Sequence, residues 1–178
     1  MTINEAQDEI IEEFSELDDW MDRYQLLIDL GNEQEPLDEK YKTESNLIDG
    51  CQSRVWIQAD YHDDKLWFTA ESDALIVKGI VSLLIRVLSG HTPQEILDAD
   101  LYFIERIGLR EHLSPTRSNG LLAMVKQMRA YALAFHAMQK IKDYTLKIRV
   151  AETKDHRDEP LVGGCVQGST EDALDRSA

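Results

Sequence analysis

Apolar residues recur every three or four positions at the start of the chain, a spacing that predicts amphipathic helices. The first helix is predicted over Ile3–Leu17, with carboxylates at most of the positions between the apolar residues. The second helix is predicted over Trp20–Leu30. Asp18 or Asp19 precedes this second helix as a candidate cap, and Gly31 follows it as a candidate stop.

The period changes to two in the middle of the chain, which predicts β-strands. Residues 54–59 and 65–70 each alternate apolar with polar side chains. Because these runs are joined through His62-Asp63-Asp64, they are predicted to pair as an antiparallel hairpin. Residues 44–49 are predicted to add a third strand, with the chain reversing at Gly50-Cys51-Gln52.

Helical spacing returns after the hairpin. A strongly apolar helix is predicted over Asp73–Leu88, with Ser72 or Asp73 as its cap and Gly90 closing it. The remaining helices are predicted to start at Thr92-Pro93, to cover residues 102–107 ahead of a loop at 113–118, and to run from Gly120 to about Tyr144.

The character of the chain shifts after Tyr144. Residues 145–150 alternate like an extra strand, residues 161–168 are rich in glycine, and the last ten residues have the composition of a disordered tail. The predicted organisation is therefore one domain over residues 1–145 and a partly flexible appendage over residues 146–178. The predicted fold class is α+β, with a small antiparallel three-stranded sheet packed against helices.

Composition narrows the classes of function. The net charge is −15, and residues 1–49 hold 16 acidic side chains against 3 basic ones. Such a section repels a phosphate backbone, so nucleic-acid binding is disfavoured. The charge is interpreted as a solvated acidic helix face, and the alternative is an electrostatic guide for a basic patch on a partner. The chain has no run of about 18 apolar residues, no secretion-signal pattern at its start, and only two cysteines. A reducing cytoplasm is the predicted location.

Cys51 is the chemically distinctive residue. A free cysteine is ordinarily a small buried hydrophobe. Cys51, however, lies where a chain reversal is predicted, between Gly50 and the polar residues Gln52 and Ser53. Glycine adopts backbone angles closed to other residues, which lets the tip of the turn project. Because an exposed thiol is easily oxidised, the placement of Cys51 at this turn indicates that the thiol has a function.

Four chemistries of a single thiol compete at Cys51. A cysteine hydrolase needs a histidine base within hydrogen-bond reach, and nothing in the sequence ties one to the thiol. The candidate bases are His62, His91, His112, His136 and His156. A dithiol redox centre needs a C-x-x-C motif, which is absent, and a metal site needs about three or four ligands, whereas Cys165 is the only other thiol. Sulfur carriage, in which a thiolate takes the outer sulfur of a partner's persulfide, needs one accessible thiolate and little else.

Residues 50–56, with the sequence GCQSRVW, resemble the active-site motif of the SufE sulfur-acceptor family. Four further motifs are similar to that family in order and spacing. They are residues 18–24 with Leu30-Gly31, residues 72–74 with 77–79, residues 92–96 and residues 112–121. The resemblance covers about residues 5–140, and the appendage lies outside it.

The resemblance implies a function. Members of that family accept sulfur from a pyridoxal-phosphate cysteine desulfurase of the SufS type, stimulate its turnover, and pass the sulfur to the SufBCD scaffold for iron–sulfur cluster assembly. By this resemblance Cys51 is the persulfide acceptor of an accessory sulfurtransferase-type protein rather than of an independent enzyme. The resemblance implies one α+β domain, no metal and no cofactor of the protein's own, and it allows a homodimer.

The same resemblance assigns further site residues. Arg117 matches an arginine that the family places near the cysteine loop, where it would stabilise the thiolate or the persulfide. Asp73 matches the family's helix-capping aspartate near the same loop, where it would help to position the loop. The residues expected to contact the partner are Gly50, Gln52, Ser53 and Arg54.

Two alternatives remain open. The first is a stand-alone cysteine-nucleophile enzyme, a thioester or peptide hydrolase that uses Cys51 and a histidine. The second is an inhibitor or adaptor that keeps the docking surface of the family and transfers no sulfur. Cys165 lies outside the matched region and is interpreted as incidental; the sharper hypothesis is that it pairs with Cys51 or relays its sulfur.

Overall fold

Residues 1–155 are described by the structure, a computed structural model, and they combine seven α-helices with one β-hairpin. In chain order the elements are α1 (Ile3–Ser15), α2 (Trp20–Glu33), β1 (Val55–His62), β2 (Lys65–Ser72), α3 (Leu75–Leu88), α4 (Pro93–Asp98), α5 (Phe103–Arg106), α6 (Leu109–His112) and α7 (Pro115–Asp155). A short 3-10 helix, Glu39–Tyr41, lies between α2 and β1. The predicted α+β class is confirmed, and α6 is an element that the sequence analysis missed.

Helix α3 is the centre of the core. Ten of its 14 residues are buried, and it packs against α1, α2 and β2. A helix that is apolar around most of its circumference must be covered on several sides. Part of this cover comes from Ile10 and Phe14 of α1 and from Phe68 of β2, which belong to the same buried cluster.

Side-chain caps start several helices where the sequence predicted them. The Asp19 side chain accepts from the backbone N–H of Met21 at the start of α2. Thr92 and Glu95 form a capping box at the start of α4, with Pro93 at the first helical position. The predicted stop at Gly31 is wrong, because α2 continues to Glu33.

Helices α2 and α3 approach each other closely at two glycines. A Cβ on Gly79 would overlap the backbone oxygen of Leu27, and a Cβ on Gly31 would lie 2.8 Å from the backbone nitrogen of Gly79. Both glycines are buried within helices. The close contact between α2 and α3 therefore explains why residue 31 is a glycine, and no role in ending the helix is needed.

The sheet of the described residues is a two-stranded antiparallel hairpin. Its register runs from Val55 opposite Ser72 to His62 opposite Lys65. Asp63 and Asp64 form the turn with φ values of 53° and 59°, the positive pair that a tight two-residue hairpin turn requires. The predicted hairpin is confirmed.

The predicted third strand over residues 44–49 is wrong. The backbone turns at residues 43–46, so only Leu47 forms a bridge, to Trp56 of β1. Two backbone hydrogen bonds flank this bridge, from Ile48 to Val55 at 2.8 Å and from Ile57 to Asn46 at 2.9 Å. The segment is therefore attached to the edge of β1 without continuing as a strand.

The extra strand predicted over residues 145–150 is also wrong. These residues continue α7, and the Thr145 hydroxyl donates to the backbone oxygen of Ile141. Extending a helix that is already formed adds one hydrogen bond per residue, whereas a strand needs a neighbouring strand. The loop predicted at 113–118 likewise gives way to α7, which begins at Pro115.

The chain divides into two units, Met1–Lys140 and Ile141–Ala178. The first unit holds the hairpin, helices α1 to α6 and the first 26 residues of α7. Of the second unit the structure describes the part of α7 up to Asp155. The predicted domain boundary at residue 145 stays a prediction.

The α2–α3 contact gives a stability prediction. Helix propensity alone predicts that Gly79→Ala stabilises the protein by about 1 kcal/mol. The overlap with Leu27 predicts the opposite, a loss of about 2 kcal/mol or more in the free energy of unfolding, because the two backbones must move apart. Urea unfolding of the wild type and of Gly79→Ala decides between these signs. A variant as stable as the wild type would contradict the close approach.

Candidate functional site

Cys51 lies on the loop that enters β1. Gly50 before it has a φ of +85°, a backbone conformation that residues with a Cβ rarely adopt, and a Cβ at this position would meet no atom of the described residues within 4 Å. Backbone conformation, and not lack of space, therefore favours glycine at position 50. The chain reversal predicted at Gly50-Cys51-Gln52 is confirmed.

The thiol does not project into solvent. Cys51 is half-buried and lines a cavity of about 310 Å³. The other lining residues come from the loop, from α3 and from the start of α7; they are Gln52, Ser53, Val77, Ser114, Thr116 and Arg117. The prediction of a projecting tip is wrong for this conformation, because the loop folds back over the start of α7.

The surroundings of the thiol decide its protonation. Burial raises the pKa of the Cys51 thiol, and the negative charge of Asp73 raises that pKa further. A hydrogen bond from the backbone N–H of Ser53 acts in the opposite direction and only partly offsets the other two. In this conformation the thiol is therefore mostly protonated at neutral pH, and its nucleophilic form is scarce.

Asp73 holds the end of the loop that enters β1. Its carboxylate accepts a hydrogen bond of 3.0 Å from the backbone N–H of Arg54, and its own N–H donates to the Arg54 carbonyl oxygen at 3.3 Å. The Ser72 hydroxyl donates to the same carbonyl oxygen at 2.9 Å. The prediction that Ser72 or Asp73 is the N-cap of α3 is wrong, since the N-cap position is Ala74 and it has no side-chain cap.

The other residues predicted for the site are divided between the cavity and the surface. Gln52, Ser53 and Arg117 line the cavity with Cys51. The Arg54 side chain is exposed, although its backbone is held by the hydrogen bonds just described, and Gly50 is exposed at the turn. The structure therefore brings Cys51, Asp73 and Arg117 to one region of the surface. Their roles stay predictions.

No histidine lines the Cys51 cavity among the residues that the structure describes. His112 stacks on Trp20 with ring centroids 3.8 Å apart, and His62 stacks on Trp67 at 5.2 Å. His156 and Cys165 lie outside the described residues. Among the described residues, the Cys51 cavity thus holds a thiol without the histidine base that a cysteine hydrolase requires.

Sequence reasoning missed four residues at the site. Val77, Ser114 and Thr116 line the cavity, and Gly120 of α7 lies against the Cys51 sulfur. The one available signal was Gly120 itself, at the predicted start of the last helix, since a glycine in a helical pattern often has a packing reason.

The described residues 1–155 contain neither a cluster of metal ligands nor a helix able to span a membrane. No group of three or more His, Cys, Asp or Glu side chains in this range is arranged to hold a metal ion. No helix in it has the length and apolar composition needed to cross a bilayer. A larger cavity of about 560 Å³ adjoins the start of α1 and is lined by Glu95, Asp98 and Asp100, with no thiol or histidine.

The fold and the site together define a small α+β protein with one half-buried thiol on an anchored turn. The family described as SufE, Fe-S metabolism associated domain, matches residues 8–132. The chain therefore belongs to the SufE family, and its function lies in iron–sulfur metabolism.

Relatives agree with the family assignment, and one solved structure shares the fold. An uncharacterized SufE-like protein of Synechocystis is 42% identical over 130 residues, covering 73% of this chain and 82% of that protein. SufE-like protein 1, chloroplastic/mitochondrial, of Arabidopsis thaliana is 33% identical over 161 residues, covering 86% of this chain and 43% of that protein. The solution structure of a hypothetical protein from Thermus thermophilus shares the fold, with a TM-score of 0.61 at 24% identity over 72% of this chain and 94% of that one.

The raised pKa predicts how the thiol reacts. In the Cys165→Ser background, Cys51 of the folded protein should be alkylated by iodoacetamide more slowly at neutral pH than Cys51 of the urea-unfolded chain. The rate should rise with pH through an apparent pKa above that of an ordinary thiol, and each unit of difference lowers the thiolate fraction at pH 7 about tenfold.

Substitution of Asp73 separates its charge from its hydrogen bond. Asp73→Asn keeps an acceptor for the Arg54 N–H but removes the negative charge, so the apparent pKa of Cys51 should fall. Asp73→Ala also frees the loop and should raise the alkylation rate further. An unchanged pKa in Asp73→Asn would contradict the assigned electrostatic contribution.

Proposed function

We propose that this protein is a sulfur acceptor that takes persulfide sulfur from a SufS-type cysteine desulfurase onto Cys51, stimulates that enzyme, and passes the sulfur on for iron–sulfur cluster assembly. The observation that carries the proposal is a single thiol on a turn anchored by Asp73, within a SufE-family domain. The recipient is a SufBCD-type scaffold. A reducing cytoplasm is the proposed location.

The transfer needs no net oxidation or reduction. The Cys51 thiolate attacks the outer sulfur of the partner's cysteine persulfide, the sulfur–sulfur bond in that persulfide breaks, and the partner's thiolate leaves. A new sulfur–sulfur bond forms on Cys51, and the proton lost from Cys51 balances the one gained by the partner. The reaction uses no cofactor on this chain, because pyridoxal phosphate on the desulfurase generates the persulfide.

The half-burial of Cys51 supports a two-position loop. Attack requires the sulfur to reach the partner's persulfide, so the loop must leave the cavity when the partner docks. Leaving the cavity removes the burial that raises the thiol pKa, and the thiolate then becomes more populated where it is needed. Gly50, Gln52, Ser53 and Arg54 contact the partner in this proposal, and Asp73 sets the resting position of the loop.

The test of this function is sulfide release by a purified desulfurase with cysteine as substrate. The wild type should increase turnover, and Cys51→Ser should abolish the increase. Cys165→Ser is the matched control and should keep it. Mass spectrometry should find the added sulfur on Cys51 alone. Stimulation by Cys51→Ala equal to that by the wild type would favour an adaptor that transfers no sulfur.

Arg117 has a separate expected effect. Arg117 lines the cavity that holds the sulfur, and a terminal persulfide is anionic at neutral pH. Arg117→Ala should reduce stimulation of the desulfurase about fivefold, the factor that corresponds to an exposed charge interaction of about 1 kcal/mol. Arg117→Lys should retain more activity than Arg117→Ala. Equal activity of the wild type and Arg117→Ala would limit this arginine to a structural role.

A further inference from the structure

Gly120 lies in the second turn of α7 and is buried. A Cβ built on it would lie 2.5 Å from the Cys51 sulfur. Apart from the atoms of its own helix, this sulfur is the single atom of the described residues that comes within 4 Å of that Cβ. The space beside Gly120 is therefore occupied by the thiol and by nothing else in the described part of the chain.

The backbone at position 120 does not call for glycine. Its φ lies outside the positive range that favours glycine, in contrast to Gly50 at +85°. Inside a helix glycine is less favourable than alanine. Glycine is thus favoured at the two positions for different reasons: Gly50 supplies a backbone conformation, and Gly120 supplies space.

We propose that Gly120 is the positioning residue that allows Cys51 to rest in its cavity. Because Gly120 has no side chain, it determines the fraction of protein molecules in which the Cys51 thiol is withdrawn. A carbon 2.5 Å from the sulfur is far inside van der Waals contact. The sulfur stands at the end of a rotatable side chain on a loop, while Gly120 is held in a helix. The sulfur therefore moves when the space is filled, and the helix does not.

Filling the space has a defined chemical consequence. The largest influence that raises the pKa of Cys51 is burial, and displacement from the cavity removes it. Gly120→Ala therefore produces a protein whose fold is retained and whose thiol is exposed and more acidic without any partner.

The first experiment is alkylation of the full chain by iodoacetamide in the Cys165→Ser background. Gly120→Ala should react about tenfold faster than its parent at neutral pH, the factor that corresponds to a fall of one unit in the thiol pKa. Lys126→Ala is the matched control, because it introduces alanine at an exposed position of the same helix, and its rate should equal that of the parent. A rate for Gly120→Ala equal to that of the parent would overturn the proposal.

The second experiment is a double-mutant cycle on stability between positions 51 and 120. In the Cys51→Ala background no sulfur needs to move, so Gly120→Ala should raise the urea midpoint. In the wild-type background the same substitution should raise the midpoint less or lower it, because the thiol is displaced. Equal shifts in the two backgrounds, or loss of the folded state in both, would overturn the proposal, since other atoms would then fill the space.

The consequence for sulfur transfer rests on the proposed function. In the proposed function the withdrawn thiol is the resting state, and Gly120→Ala already holds the thiol outside the cavity. This variant should therefore half-saturate the desulfurase at a lower concentration than the wild type does. The reason is that the apparent affinity rises with the fraction of molecules that are competent to bind. Faster alkylation together with no stimulation of the desulfurase by the wild type or by Gly120→Ala would sustain the role of Gly120 and count against the proposed function.

Discussion

The backbone of Arg54 is the point on which the site depends. The Asp73 carboxylate, the Asp73 N–H and the Ser72 hydroxyl all bond to it. On the other side of the loop, the backbone N–H of Ile48 donates to the Val55 carbonyl oxygen. Between these anchors only residues 49–53 remain to move, so Cys51 can change position while the hairpin and α3 keep theirs.

This arrangement balances protection against reactivity. A withdrawn thiol is shielded from oxidants, and its raised pKa keeps it protonated. The same features slow any attack by the sulfur. In the proposed function, the withdrawn position is therefore suited to storage and the emerged position to transfer. A sulfur carrier of the proposed kind gains from both positions, because a thiolate exposed without its partner would react with oxidants and other electrophiles.

The acidic first section of the chain has structural uses besides solvation. Arg86 of α3 donates to Glu13 of α1 at 2.7 and 2.9 Å and to Glu9 of α1 at 3.1 Å, which ties the first helix to the central one. Glu5 completes the capping box at the start of α1. Some of the negative charge is thus accounted for within the fold, and the rest is exposed.

Local patterns in the sequence determined much of this protein. The helical period placed α1, α2 and α3, side-chain chemistry identified the caps at Asp19 and Thr92, and alternation with a tight turn defined the hairpin. The residues around Cys51 indicated a reversal and the SufE family. These features depend on neighbours within a few positions along the chain. At that range, backbone hydrogen bonding and side-chain spacing can be inferred from the sequence alone.

Only the tertiary structure decided the features that depend on residues far apart in the sequence. The backbone turns at residues 43–46, so residues 44–49 pair with β1 at one bridge only. Residues 145–150 take the helical hydrogen bonds that the preceding turn offers. The withdrawal of the Cys51 thiol depends on a glycine that is 69 positions away in the chain. Space beside a sulfur is a property of packed surfaces, and only folding brings those surfaces together.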